Sequence, residues 1–182
     1  MSNLPIVTGD NTLENSFLGE TFQLSLITRD YRKMMEKLVK TGIGPWSVYT
    51  FGPDTVTDCI YRGQPGTYIC KVCLALSGTM MWEIIQPLSG PSIYEEFLDK
   101  HGEGIHHVAV NCNDQDWETR VAEFEKHGYK IVQSGYWLGK VPFAYLEMED
   151  DTAIAFEIFI MPEDFEMPEP DEWYPASPPL AK

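Results

Sequence analysis

The chain has 182 residues, 43% hydrophobic and 23% charged, a composition that suits a globular fold of one large or two small domains with a real core. Its formal net charge of −15 repels phosphate, which argues against nucleic acid or an anionic membrane as a partner. The opening MSNLPIVTGDNTLENS lacks the basic and apolar segments of a secretory signal, and no apolar run reaches the roughly 18 residues of a membrane span, so a cytoplasmic chain is expected.

In chain order, residues 1–20 are polar and read as an N-terminal arm. The alternating FQLSLIT (Phe22–Thr28) predicts a strand. In RDYRKMMEKLVKTG, Tyr31, Met34, Met35 and Leu38 recur at helical spacing up to Gly42. PWSVYTF, TYICKVCLAL and TMMWEIIQPL predict three further strands, with Phe51–Pro65 as a loop region between the first two. PSIYEEFLDKHG predicts a short helix from Pro91 to Gly102. The order then repeats: IHHVAVN is a strand, DWETRVAEFEKHG a helix, and YKIVQSG, VPFAYLEME and AIAFEIFIM are strands. A shift of 84 carries Gln23 to His107, Asp30 to Asp114 and Gly44 to Gly128.

The domain reading is an arm over 1–20, a first βαβββ module over 21–90, a linker helix over 91–103, a second βαβββ module over 104–161 and a tail over 162–182. That tail holds six of the 13 prolines and six acidic residues, so it is expected to wrap the surface or stay mobile, with Trp173 and Tyr174 as anchors. The four cysteines form no disulfide framework. Cys70 and Cys73 make a C-x-x-C within one strand, where their side chains face opposite ways and read as structural thiols.

Strand alternation sorts the polar residues. Phe22, Leu24 and Leu26 are expected on the helix-packed face of the first strand, with Gln23 and Ser25 opposite. In the repeat, His106 joins Val108 and Val110, whereas His107 shares the other face with Ala109 and Asn111. Adjacent strand residues so placed serve different surroundings, and His106 reads as structural. Glu157 sits among Ile154, Phe156, Ile158 and Ile160, and Glu83 among Met81, Trp82, Ile84 and Ile85. A carboxylate within such a run must be paired, protonated or bound to a metal. Gln23, Glu83, His107 and Glu157 therefore stand out, one from the first and one from the last strand of each repeat. The chain has no Gly-rich nucleotide loop, no nucleophile elbow and no supported Ser-His-Asp arrangement.

The paired βαβββ pattern, with MMWEIIQPLSGPSIYEEFLDKHGEGIHHVAV and the FEIF strand, resembles the vicinal oxygen chelate superfamily, and within it the glyoxalase I and methylmalonyl-CoA epimerase branch, over about residues 20–161. The resemblance implies an α+β fold of two tandem βαβββ modules, forming a curled mixed sheet around a central cavity. It implies a divalent metal ion (Zn, Mn, Co, Ni or Fe(II)) held by Gln23, Glu83, His107 and Glu157. It also implies a small-molecule substrate and a homodimer. The first-strand ligand is often His in this family and is Gln23 here. Methylmalonyl-CoA epimerases use a first-module carboxylate as base, but between Tyr49 and Trp82 the only acids are Asp54 and Asp58. The glyoxalase-type pattern then assigns Glu83 as the proton-transferring group.

The expected activity is a metal-dependent isomerase, epimerase or lyase reaction on a small oxygenated substrate such as a keto acid, a thioester or a polyketide-like ring. A sequestering small-ligand binder and a non-haem Fe(II) oxygenase are the alternatives.

Overall fold

The computed structural model describes residues 20–112 and 116–176. Residues 1–19 of the expected arm, Asp114 and the tail's residues 177–182 lie outside the described residues. Strand β1 (Glu20–Ile27) leads to helix α1 (Tyr31–Val39), which Asp30 opens by accepting a 3.0 Å hydrogen bond from the Lys33 backbone N–H. The α1 residues Met34, Met35 and Leu38 pack with Trp46 and Ile84 on the convex side of the sheet. Gly42 then turns the chain with φ +90, as Gly128 does after α3 (Trp117–Lys126). Asp116 caps α3 through the Thr119 N–H at 3.0 Å. The repeat offset is therefore 86 at the helix ends (116 − 30 and 128 − 42), not the 84 that relates Gln23 to His107.

The remaining strands are β2 (Trp46–Phe51), β3 (Val56–Tyr61), β4 (Gln64–Pro65), β5 (Ile69–Ser77) and β6 (Met80–Ser89) in the first half. After α2 (Ile93–His101) come β7 (Gly104–Asn111), β8 (Ile131–Trp137), β9 (Val141–Leu146), the short α4 (Glu149–Thr152), β10 (Ala155–Phe159) and β11 (Glu172–Tyr174). All belong to one sheet of order β11-β2-β5-β6-β1-β7-β10-β9-β8-β3-β4. The order β2-β5-β6-β1 is mirrored by β8-β9-β10-β7, and the halves meet where β1 and β7 pair antiparallel. In each half the first strand pairs parallel with the last, β1 with β6 and β7 with β10.

Two features depart from the sequence reading. The Phe51–Pro65 region is not a plain loop: β3 and β4 form a hairpin, and β3 crosses to pair with β8 of the other half. Its alternation is broken by a register shift between Thr57 and Ile60, where Asp58 has φ +50, so no clean period-2 signal survives. The tail also contributes a strand. β11 adds antiparallel to β2, placing Trp173 opposite Ser47 and Tyr174 opposite Trp46. Both ends of the mirrored sheet are thus extended by segments that the periodicity does not read as strands.

Helix α2 does more than join the halves. Its Tyr94, Phe97 and Leu98 enter the same buried cluster as Tyr68, Tyr145 and Ile85 on the concave side. Gly90, just before it, has φ +81 and lies where a Cβ would come within 2.4 Å of the Thr67 carbonyl oxygen, so the chain can pass there only as glycine. The cysteines fall as expected: Cys70 is buried in the concave cluster, Cys73 under α1, and none of the four is joined in a disulfide.

Candidate metal centre

The concave face of the β6-β1-β7-β10 strip carries the polar residues that the sequence singles out. Glu83 is level with Ser25, two residues after Gln23, and Glu157 is level with Ala109, two residues after His107. The same relation in both halves fits the mapping of Gln23 onto His107. One His nitrogen and one oxygen from each carboxylate, of Glu83, His107 and Glu157, all lie within 4.8 Å of one another. Gln23 lines the same cavity as both carboxylates. All four residues are buried: His107 is 0% exposed and the other three are at 9% or less.

Two β-bulges shape this strip. On β1, Thr21 faces Val110 and Gln23 faces Ala109, which leaves Phe22 as the extra residue. On β7, His107 faces Ser25 and Ile105 faces Leu26, which leaves His106 as the extra residue. A bulge breaks alternation and re-aims the side chains beside it. Phe22 therefore lines the cavity instead of joining the helix-packed face. His106 likewise departs from the face of Val110. Its Nδ1 lies 2.7 Å from His107 Nδ1, and its ring packs edge-on against Tyr94 and Phe97. The reading that adjacent histidines serve separate surroundings fails here because it assumes an unbroken strand.

Below the strip lies a floor of phenols. Tyr94 Oη donates to Tyr145 Oη at 2.8 Å, and the Tyr145 ring stands 5.0 Å from the His107 ring. Burial pushes the Tyr68, Tyr94 and Tyr145 hydroxyls well above the usual phenol range, so they act as neutral groups. Lys71, on β5, points away to Asp171 at 3.0 Å.

His107 Nε2 lies 3.2 Å from Glu83 Oε2 and 3.2 Å from Glu157 Oε2. Nevertheless Nε2 and Glu83 Oε2 have no partner with hydrogen-bond geometry, nor has the buried Ser25 hydroxyl that is level with both residues. Burial drags the His107 imidazole down, but its approaches to Glu157 and Glu83 outweigh that and raise its pKa to about 9. Burial raises the Glu157 carboxyl, although His107 pulls it the other way. Burial lowers His106 well below the usual imidazole range, leaving a neutral ring. Converging acids and an imidazole that are buried yet imperfectly paired fit a divalent cation at their centre, which would satisfy the orphaned atoms together.

Above the carboxylates the concave face opens into a cavity of about 150 Å³. Its walls include Phe22, Phe51, Trp137, Phe143 and Phe159, with Met161 and Met167 from beyond the last strand of the second half. Phe51, Trp137 and Phe143 line the cavity because they stand on the concave side of their strands, a face that cannot be assigned from sequence until the curl of the sheet is known.

The sequence profile of the Glyoxalase/Bleomycin resistance protein/Dioxygenase superfamily matches residues 22–145. The chain belongs to this superfamily. A hypothetical protein of Bacillus halodurans C-125 superposes with a TM-score of 0.62 over 81% of this chain and 98% of its own, at 18% identity. Methylmalonyl-CoA epimerase of Mycobacterium tuberculosis gives 0.56 over 79% of this chain and 89% of its own, at 16% identity. A variant of the Streptomyces coelicolor epimerase, in complex with 2-nitronate-propionyl-CoA, gives 0.55 over 82% and 99%, also at 16%. Likeness at such identities is one of fold. The uncharacterized protein YqjC of Bacillus subtilis (strain 168) is 40% identical over 43 residues, a stretch covering 24% of this chain and 31% of the relative. Among the described residues, no helix is long and apolar enough to cross a membrane.

Proposed function

We propose that this chain is a metal-dependent isomerase, epimerase or lyase that moves a proton on a small oxygenated substrate. The observation that carries the reading is the buried Glu83–His107–Glu157 cluster with two unsatisfied ligand atoms at the base of a small cavity. Glu83, His107 and Glu157 would hold a divalent ion through Oε, Nε2 and Oε atoms, with the Gln23 amide oxygen as a fourth donor. The ion would supply Lewis-acid polarisation of neighbouring substrate oxygens.

The chain's own residues supply the rest. The Glu83 carboxylate takes the proton from the carbon beside the polarised carbonyl and returns it, to the other face of that carbon or to its neighbour. His107 keeps Nε2 toward the site because its Nδ1 is engaged by His106. The Tyr145 hydroxyl steadies Glu157, and the apolar walls exclude water from the reacting carbon. An Fe(II) oxygenase is supported less well. Such enzymes use two histidines and one carboxylate, whereas this cluster has one histidine and two carboxylates.

The test is metal content by mass spectrometry on chelator-free protein, beside His107→Ala and Glu157→Ala. Near-stoichiometric metal that both variants lose supports the site, and no uptake of Zn, Mn, Co, Ni or Fe(II) overturns it. Deuterium exchange at the carbon beside the carbonyl of candidate substrates then separates catalysis from sequestration: ligand bound and recovered without exchange overturns the enzymatic reading.

A further inference from the structure

The segment after β10 leaves the sheet, crosses the mouth of the cavity, and returns to it as β11. Met161 and Met167 line the cavity, and the Phe165 ring lies 5.3 Å from that of Trp137. The far end of the segment is clasped to the first half. Asp171 Oδ2 accepts from Thr50 at 2.5 Å and from Lys71 at 3.0 Å, and Glu172 takes both guanidinium nitrogens of Arg32 at 2.6 Å. The segment lies beyond the superfamily match at residues 22–145.

The lining it completes is apolar apart from Gln23, Glu83 and Glu157. Among the described residues, no lysine or arginine lines it. Two carboxylates already balance the charge of a divalent ion, so nothing remains to neutralise an anionic ligand. Moving an uncompensated carboxylate or phosphate from water into such surroundings is strongly unfavourable. Aromatic walls instead favour a ring, and a cavity of about 150 Å³ has the volume that holds one benzene-sized group.

We propose that the strap formed by residues 160–174 is a specificity-determining roof that restricts the cavity to neutral, single-ring ligands bearing adjacent oxygens, and excludes carboxylates and CoA thioesters. This deepens the metal-dependent reading by naming its substrate class, and rests on that reading for the role of the adjacent oxygens and for the charge balance of the loaded site.

The probes are 2-hydroxyacetophenone, phenylglyoxylate and propionyl-CoA: a neutral ring with neighbouring oxygens, its anionic counterpart, and a phosphate-bearing thioester. Binding is read by quenching of tryptophan fluorescence, since Trp137 lines the cavity, on metal-free and metal-titrated protein. The neutral ring is expected to bind at least about tenfold more tightly than either anion in both states. Met161→Trp and Met167→Trp, which add bulk to the roof, are expected to weaken it at least about tenfold with metal content unchanged. An anion that binds as well as the neutral ring overturns the proposal, as do Trp variants with unchanged ring affinity. Neutral preference without any metal uptake overturns the metal reading and leaves the roof standing; metal uptake with anion preference does the reverse.

Discussion

The His107 Nδ1 sits 2.7 Å from His106 Nδ1, so one proton lies between two adjacent imidazoles on a bulged strand. For Nε2 of His107 to present a lone pair to an ion, its Nδ1 must carry that proton and His106 must accept it. Burial keeps His106 neutral and able to accept. His106 is therefore expected to act as a positioning residue that fixes the tautomer of His107. His106→Phe is expected to keep the ring packing on Tyr94 and Phe97 but to weaken metal binding about 10- to 100-fold, measured by competition with a chromophoric chelator. Unchanged affinity would show that His107 needs no such support.

Metal binding should release protons. With the His107 pKa raised to about 9, the metal-free imidazole is protonated at neutral pH and must lose its proton to ligate. Titration calorimetry at pH 7 in two buffers of different ionisation enthalpy should therefore give different observed heats. The same shift acts on the metal-free fold. A raised imidazole pKa stabilises the folded chain fully below about 6.5, and that contribution, on the order of 3 kcal/mol, is lost as pH rises through about 9. Glu157, also raised, acts in the same direction from lower pH upward. The chelator-stripped protein should thus lose melting temperature between pH 6.5 and 9.5, whereas metal-saturated protein should not.

The four polar positions were legible in the sequence because a strand that alternates has only two faces, and a lone Glu in MMWEIIQPL or AIAFEIFI announces itself on either. What alternation could not reach is the pair of bulges at Phe22 and His106, where one extra residue turns a side chain from its expected face. The β3–β4 hairpin was hidden for a related reason. Its partner β8 lies in the other half of the chain, and its own period is interrupted at Asp58. Met161 and Met167 carry no local signal, since their role arises only once the strap crosses the cavity.

The clasp that returns the strap to the sheet should contribute modestly. Thr50 above all, and Lys71, hold the Asp171 carboxyl below the usual carboxylate range, but the side chain is 48% exposed and solvent screens the pair. Asp171→Ala is expected to cost about 1 kcal/mol or less in global stability by urea denaturation. Its larger effect should be local, as faster proteolysis within residues 160–174, because the pairing of β11 with β2 spans only Glu172–Tyr174.

Glu83 is assigned two roles, and Glu83→Gln separates them. The amide keeps an oxygen at the ligand position and nearly the same volume, so metal should remain, bound more weakly. It cannot accept a proton from carbon, so substrate deuterium exchange should fall by at least about 100-fold. Metal retention with exchange intact would move the base elsewhere, to Glu157 first, since it faces the same cavity.

Gln23 offers the opposite test, a gain. An amide oxygen is a weaker donor to borderline ions than imidazole nitrogen. Gln23 stands on β1 as His107 stands on β7, each immediately after a bulge and each two residues before the position level with a carboxylate. Gln23→His should therefore aim an imidazole at the same centre, with two carboxylates already waiting. Affinity for Zn and Ni is expected to rise at least about tenfold, and that for Mn, a harder ion, to rise less. The competition assay used for His106→Phe reads both. An equal gain for all ions would point to altered packing at the bulge instead of ligation, and no gain for any ion would remove Gln23 from the ligand set, leaving Glu83, His107 and Glu157 to hold the metal alone.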